Sequence, residues 1–196
     1  MIRALSIFML CCSFAYSGLL KDEIKPVMQE KIDYVIKILQ GENLDKALLS
    51  NDIFEQFNGM FDFPLMARLS LGPKQWNSLN EKEKDRYITH FVGRMKRSFI
   101  QRLELYSDEI MVIKDTKEVT AGSATRIYLV TELVGKEKNY PIVYKFHNSQ
   151  KDGWMIYDVD ILDVSLIQTY RAQFDSYLDA HSLDNLIAWL DEDETL

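Results

Sequence analysis

One stretch of this chain constrains its fold more than any other. Between Gly153 and Phe174 the hydrophobic period changes from two to about 3.6 without a break. The first half alternates an apolar set with a partly acidic set: Met155, Tyr157, Val159 and Ile161 against Trp154, Ile156, Asp158 and Asp160. The second half repeats apolar residues at helical spacing: Val164, Ile167, Tyr170 and Phe174. The pattern predicts a strand that runs straight into an amphipathic helix, so that their apolar surfaces either fill each other or enclose a space.

Helical periodicity dominates the chain before Ser107. Apolar stripes predict helices over residues 23–40, over 44–57 in one or two pieces, and over 62–72. Asn80 followed by Glu83 resembles a capping box, and it opens the longest predicted helix. Its apolar row has i+4 spacing: Tyr87, Phe91, Met95, Phe99 and Leu103.

Alternation with period two dominates after Ser107. It predicts strands over residues 109–114, 124–134, 138–148 and 153–162, joined by turn sequences and therefore paired antiparallel. Two further helices follow, the second with Ser182 as its N-cap. We therefore expect an α+β domain in which helices cover one face of a curved, four-stranded antiparallel sheet.

The first residues predict export. Arg3 precedes an apolar run, and Ala15, Tyr16 and Ser17 supply a plausible signal-peptidase site, so we expect residues 1–17 to be a signal peptide and 18–196 a single domain in the periplasm. A membrane anchor is the first alternative, but the run is shorter than the ~20 residues that a span requires. A lipoprotein signal at Cys11 or Cys12 is the second, although the preceding residues are not the small ones it favours.

Charge and cysteine content narrow the function classes. Both cysteines of the chain lie in the predicted leader, so a mature chain would have no cysteine metal site or nucleophile. Loss of Arg3 leaves 22 basic against 30 acidic residues, a net charge of −8. Such a surface would be repelled by nucleic acid and by bare anionic membranes.

Several ordered motifs resemble the MlaC family, also called the toluene-tolerance or ABC-transporter auxiliary proteins. They are Trp154, Tyr157-Asp158-Val159, Val164-Ser165-Leu166 and Tyr170-Arg171-Ala172-Gln173-Phe174, preceded by FDFPLMARLSLG from Phe61 to Gly72 and by Trp76, and followed by Leu183-Asp184-Asn185-Leu186-Ile187. The resemblance spans residues 25–190. It implies an NTF2-like cone whose apolar cavity holds phospholipid acyl chains.

The candidate lipid-binding residues are the apolar positions expected on the inner face of the sheet and on the helices opposite. They are Phe61, Phe63, Met66, Phe91, Met95, Phe99, Leu103, Ile127, Leu129, Ile142, Tyr144, Phe146, Met155, Tyr157, Val159, Ile161, Ile167 and Tyr170. From periodicity alone these residues indicate an ordinary filled core. The resemblance is what favours a cavity.

Two sets of basic residues have open roles. Arg171 either lies at the cavity mouth, where it could meet a phosphate, or bonds a structural carboxylate such as Asp158 or Asp160. The cluster Arg94, Lys96, Arg97 and Arg102 on the longest helix is either a solvated face or a docking patch.

Catalytic signatures are weak. His90, His147 and His181 belong to no nucleophile or zinc motif. Asp158, Asp160 and Asp163 lack the glycine-punctuated spacing of a calcium loop. We therefore expect that the protein is not an enzyme and has no metal site or cofactor. A cavity enzyme acting on a hydrophobic small molecule is the alternative, because similar folds are used by small enzymes.

The resemblance implies a monomeric periplasmic phospholipid carrier. Its partners would be an outer-membrane lipoprotein-pore complex and an inner-membrane ABC transporter with an MCE-domain ring, and its role would be to maintain outer-membrane lipid asymmetry. A periplasmic binding or chaperone module with a filled core is the alternative. Neither head-group preference nor transport direction follows from the sequence.

Overall fold

A computed structural model describes residues 18–40, 46–104, 109–122 and 124–192. The predicted signal peptide, residues 1–17, lies outside them. So do the side chains of residues 46–50, 102–104 and 121, which include Arg102 and Leu103 of the predicted sites.

The described helices follow the predicted order. They are α1 (Ile24–Leu39), α2 (Lys46–Asn58), α3 (Phe63–Leu71), α4 (Pro73–Ser78), α5 (Glu81–Glu104), α6 (Leu166–Leu178) and α7 (Leu183–Asp191), with a short 3-10 turn at Lys21–Glu23. None of the helices in the described part of the chain is long and apolar enough to cross a membrane.

Short polar side chains fix where these helices begin. Asp62 Oδ1 accepts the Leu65 N–H at 3.0 Å, and Ser165 and Ser182 cap α6 and α7 in the same way. At α5 the predicted capping box is complete, because Asn80 Oδ1 accepts the Glu83 N–H and Glu83 Oε2 accepts the Asn80 N–H.

The sheet is antiparallel and follows chain order. Its strands are β1 (Ile110–Ala121), β2 (Ala124–Val134), β3 (Asn139–Ser149), β4 (Gly153–Ile161) and β5 (Val164–Ser165). The predicted α+β class is confirmed. The strand count is five because Leu162 and Asp163 form a two-residue turn that folds Val164–Ser165 back onto β4.

A β-bulge in β4 changes which residues face inward. Lys145 pairs with Asp158 but the next residue, Phe146, pairs with Ile156, so Tyr157 is an extra residue on β4. One extra residue reverses the alternation. Trp154 and Ile156 therefore share the inner face with Val159 and Ile161, and both are buried.

The free edge of β4 is covered by other parts of the chain. Near its start, the Trp154 N–H donates to the Leu19 carbonyl at 2.8 Å. Further along, Ile156 exchanges backbone hydrogen bonds with Met60 and Asp62, and beyond the bulge β5 takes over the edge. The segment just before α3, residues 60–62, is therefore hydrogen-bonded directly to the sheet.

The buried apolar residues form two clusters. The helical cluster is built from α2, α3, α5, α6 and α7, with Met66, Tyr87, Phe91 and Phe174 almost fully buried. The sheet cluster joins α1 to the inner face of the sheet, with Ile24 and Met28 packed over Ile127 and Phe146. Phe61 is partly buried against both clusters.

Candidate functional site

The inner face of the sheet is unevenly covered. Leu129 and Phe146 are fully buried, and Ile127 and Val159 nearly so, in the sheet cluster beneath α1. Towards the Gly135 end of the sheet, Ile113, Ile142, Tyr144 and Ile161 face the same way but are only half-buried. This half of the inner face is the candidate site.

The predicted helical residues belong to the other cluster. Phe63, Met66, Phe91, Ile167 and Tyr170 are buried there, and Phe61, Met95 and Phe99 are partly buried. The Phe91 and Tyr170 rings meet at 5.7 Å and those of Phe54 and Phe99 at 5.9 Å. The helical members of the predicted set therefore contact one another.

The long helix does not face the sheet as we expected. α5 packs against α2, α3 and α7, whereas α1, α3 and α6 supply the main helical contacts of the sheet. The predicted stripe on α5 and the predicted inner face consequently form two separate apolar surfaces. Phe61, whose ring centroid lies 5.4 Å from that of Phe63, connects them.

Two predicted lining residues lie on the opposite face of the sheet. The prediction that Met155 and Tyr157 point inward with Val159 is wrong, because the bulge reverses the alternation between them. Tyr157 instead contacts the Arg126 guanidinium at 5.4 Å and the His147 ring at 5.7 Å. Its position inside is taken by Ile156.

Arg171 has a different partner from those we expected. It donates to Asp175 at 2.8 Å, one helical turn away, and not to Asp158 or Asp160. Its guanidinium also occupies the space that a side chain at Gly72 would need, 2.1 Å from an ideal Cβ position. Gly72 has φ of 82°, so glycine is required there for conformation as well as for space.

Asp158 and Asp160, the acidic residues of β4, both form ion pairs with Lys145. Its Nζ lies 3.0 Å from Asp158 Oδ2 and 2.5 Å from Asp160 Oδ1. Burial lowers the pKa of Lys145, but hydrogen bonds to the two carboxylates outweigh that effect and raise it. Lys145 is therefore held charged on the outer face of the sheet.

Asp158 also joins the sheet to α6. Its carboxylate accepts the Ile167 N–H at 3.2 Å and the Ser165 hydroxyl at 2.8 Å, and the side chain is almost completely buried. One carboxylate thus satisfies the Lys145 ammonium, a backbone donor at the start of α6 and a capping serine. The acidic residues of this strand are explained as structural contacts.

A second polar contact joins the sheet to α3. The Asp62 carboxylate that caps α3 also lies 2.8 Å from His147 Nε2 on β3. Burial alone would raise the pKa of Asp62, but the hydrogen bonds from His147 and from the Leu65 N–H outweigh it and lower the pKa.

The basic cluster on α5 is mostly structural. Arg94 and Arg97 donate to the carbonyls of Glu192 and Leu190 at the end of α7, and Arg94 is buried beneath Trp189. Lys96 pairs with Glu55 at 3.2 Å. Arg94 and Arg97 therefore hold α7 in place and are not a free docking patch.

The pocket between α1 and α2 does not suit acyl chains. It measures about 220 Å³ and is lined by Val27, Glu30, Lys31, Tyr34 and Gln56. That volume is below the roughly 300–1,000 Å³ typical of small-molecule sites, and its lining is mixed. Among the described residues, no three side chains of histidine, cysteine, aspartate or glutamate converge as a metal site would require.

Comparison with protein families identifies the chain. Residues 29–192 match the family described as MlaC protein. The chain belongs to the MlaC family. The resemblance predicted from the sequence motifs is thereby confirmed.

A solved structure has the same fold as this MlaC-family chain. It is the phospholipid-binding protein from Ralstonia solanacearum, determined in complex with a phospholipid. The two chains are 17% identical, with a TM-score of 0.71 over 85% of this chain and 93% of that chain. At this identity the similarity is one of fold. No protein with a curated description matches the sequence.

A short helix follows α3 directly. The segment Pro73-Lys74-Gln75 makes the first turn of α4, with Pro73 in the position where a helix needs no N–H. It brings Trp76 under the Lys84 ammonium at 5.6 Å. Gly72 is therefore the single residue between α3 and α4.

Proposed function

We propose that this protein is a periplasmic phospholipid carrier. It holds diacyl lipid against the half-buried inner face of the sheet and exchanges it between an outer-membrane complex and an inner-membrane MCE-domain ABC transporter. No covalent chemistry is required, because transfer depends on the relative lipid affinities of the partners. Membership of the MlaC family and the phospholipid-bound structure of the same fold support this proposal.

The observation that carries the proposal is the separation of the two apolar surfaces. The α5 stripe packs within the helical cluster, and the inner face at Ile142, Tyr144 and Ile161 stays half-buried. A filled core would have brought these surfaces together, since buried apolar area stabilises a fold. In this proposal bound lipid completes the burial of the inner face at Ile142, Tyr144 and Ile161.

The size of the hydrophobic effect explains why a lipid would use this surface. Each buried methylene contributes about 0.8 kcal/mol, so an acyl chain of ~16 carbons carries on the order of 10 kcal/mol in water. A micromolar site needs about 8 kcal/mol net, so after an association cost of at least about 4 kcal/mol a diacyl lipid has to bury most of the surface of its two chains. Half-buried isoleucine and tyrosine side chains supply this kind of surface.

The test is lipid content after purification. Protein secreted into the periplasm and analysed by native mass spectrometry should carry about one diacyl phospholipid per chain, released on organic extraction. Ile142→Trp should lower that occupancy by filling the candidate site, whereas Val143→Trp, on the opposite face of the same strand, should leave it unchanged. Folded protein without lipid, or equal loss in both variants, would contradict the proposal.

A further inference from the structure

The Tyr144 hydroxyl lies on the apolar inner face with almost nothing to bind. Tyr144 is in β3, between Leu129 of β2 and Val159 of β4. Its hydroxyl extends to β1, where it contacts Met111 Sδ at 3.7 Å. A thioether sulphur is a weak acceptor, and within the described ranges no other hydrogen bond of this hydroxyl is found.

Two other hydroxyls of the molecule have oxygen partners. Thr131, on the same face, donates its hydroxyl to the Ile142 carbonyl at 2.8 Å. Tyr87, fully buried in the helical cluster, shares a 3.0 Å hydrogen bond with Ser70. The hydroxyls of Thr131 and Tyr87 are thus satisfied by oxygen, whereas that of Tyr144 has sulphur as its partner.

The surroundings of Tyr144 determine what it can recognise. Burial raises its pKa to about 12, so the hydroxyl is a neutral donor throughout the physiological range. The inner-face residues around it are uncharged: Met111, Leu129, Ile142, Val159 and Thr131, whose hydroxyl is already bound to the Ile142 carbonyl. An anionic phosphate would lack a countercharge among them, whereas a neutral carbonyl oxygen needs only one donor.

We propose that the Tyr144 hydroxyl donates a hydrogen bond to an ester carbonyl oxygen of the bound lipid. Tyr144 is then a residue that sets both lipid position and specificity, favouring ester-linked over ether-linked chains. This inference rests on the proposed function, because it needs a lipid at the inner face. The ester carbonyl is the polar atom of a diacyl lipid that lies next to its hydrocarbon, and this matches a lone donor on an apolar surface.

The test compares two phosphatidylcholines that have the same chains and head group, one with ester links and one with ether links. Wild-type protein should bind the ester lipid about five-fold more tightly, the effect of one buried neutral hydrogen bond. Tyr144→Phe removes only the hydroxyl and should bring the ratio of the two affinities close to one. Tyr128→Phe, on the outer face, should keep the wild-type ratio.

The outcomes separate this inference from the proposed function. If wild-type protein binds both lipids equally, or if Tyr144→Phe keeps the preference, the role of Tyr144 is wrong while the carrier function stands. If wild-type protein binds neither lipid, both fail.

A stability measurement provides a second arm. Lipid-free Tyr144→Phe should unfold at the same denaturant concentration as wild type or at a higher one, because its hydroxyl lacks a strong partner. A clear decrease in the midpoint would mean that the hydroxyl has a structural role, and would overturn the inference.

Discussion

The helical cluster and the inner face of the sheet differ in how completely their apolar side chains are buried. In the helical cluster aromatic rings surround one another: the Phe174 ring lies 5.4 Å from Tyr170, 6.1 Å from Trp189 and 6.3 Å from Tyr87. On the inner face of the sheet, the residues that pack in the cluster beneath α1 are buried, whereas Ile142 and Ile161 are half-buried. The comparison indicates that the helical half is the more completely packed of the two, and the proposed lipid would bind to the other half.

The largest expected effect tests this division directly. Phe174→Ala should lower the free energy of unfolding by about 4 kcal/mol, because it leaves a cavity in a filled cluster. Ile142→Ala should lower it by only about 1 kcal/mol, since its side chain is not completely buried. Denaturant unfolding of the lipid-free proteins measures both. Similar losses would mean that the two halves are equally filled.

The next prediction concerns the joint between the halves at Asp158. Asp158→Ala should destabilise the protein by about 2 kcal/mol, because it removes one of the two carboxylates at Lys145 and the carboxylate that accepts the Ile167 N–H at the start of α6. Asp152→Ala, in the exposed turn between β3 and β4, is the matched control and should change stability by less than about 0.5 kcal/mol. Urea unfolding monitored by tryptophan fluorescence would measure the difference. An Asp158 effect as small as that of the control would show that the joint contributes little.

A smaller effect, of opposite sign, is expected at the turn between β4 and β5. Leu162 and Asp163 have φ of 53° and 63°, which is left-handed backbone that side chains other than Asn, Asp and Gly disfavour. Replacing the pair by Asn-Gly, the preferred sequence for such a turn, should raise the free energy of unfolding by about 1 kcal/mol. Leu162→Ala keeps the unfavourable conformation and should give no gain. A thermal melt of each variant checks this.

The smallest predicted effect is a pH dependence at the joint between α3 and β3. The pKa of Asp62 is lowered below its ordinary 3.8, so its carboxylate stabilises the fold above about pH 4 and that contribution disappears as the pH falls through the folded-state pKa. Asp62→Asn keeps a capping side chain but cannot titrate there. Between pH 5 and pH 3 the free energy of unfolding should therefore fall further in wild type than in the variant, with a difference of up to about 1 kcal/mol. Parallel curves would contradict the assignment to Asp62.

Local signals in the sequence predicted much of this fold. The capping residues Asn80 and Ser182 and the apolar stripes placed the helices to within a few residues, because caps and periodicity act over one or two turns. The outcome at Met155 and Tyr157 was different. Nothing in alternation reveals that Tyr157 is an extra residue, since a bulge depends on how β4 pairs with β3.

The partners of the predicted site residues were also beyond local reasoning. The α5 stripe is apolar whether it faces a sheet or other helices, so its contacts with α2, α3 and α7 could not be read from its period. The sequence also did not show that Asp158 and Asp160 pair with Lys145 and not with Arg171. The sequence thus identified which residues are apolar and which are charged, but not which of them meet.

The edges of the sheet have a consequence for handling this protein. β4 is covered along its length, whereas β1 pairs only with β2 in the part of the chain that the structure describes. The later part of β1 is protected by the bulge at Lys114 and by the charges of Asp115, Lys117 and Glu118, features that discourage strand addition. Its first residues, Ile110–Ile113, carry no charge, and Ile110 and Val112 are exposed. When the concentrated protein aggregates, association should begin at this tetrapeptide, and Val112→Lys is the substitution that should protect it.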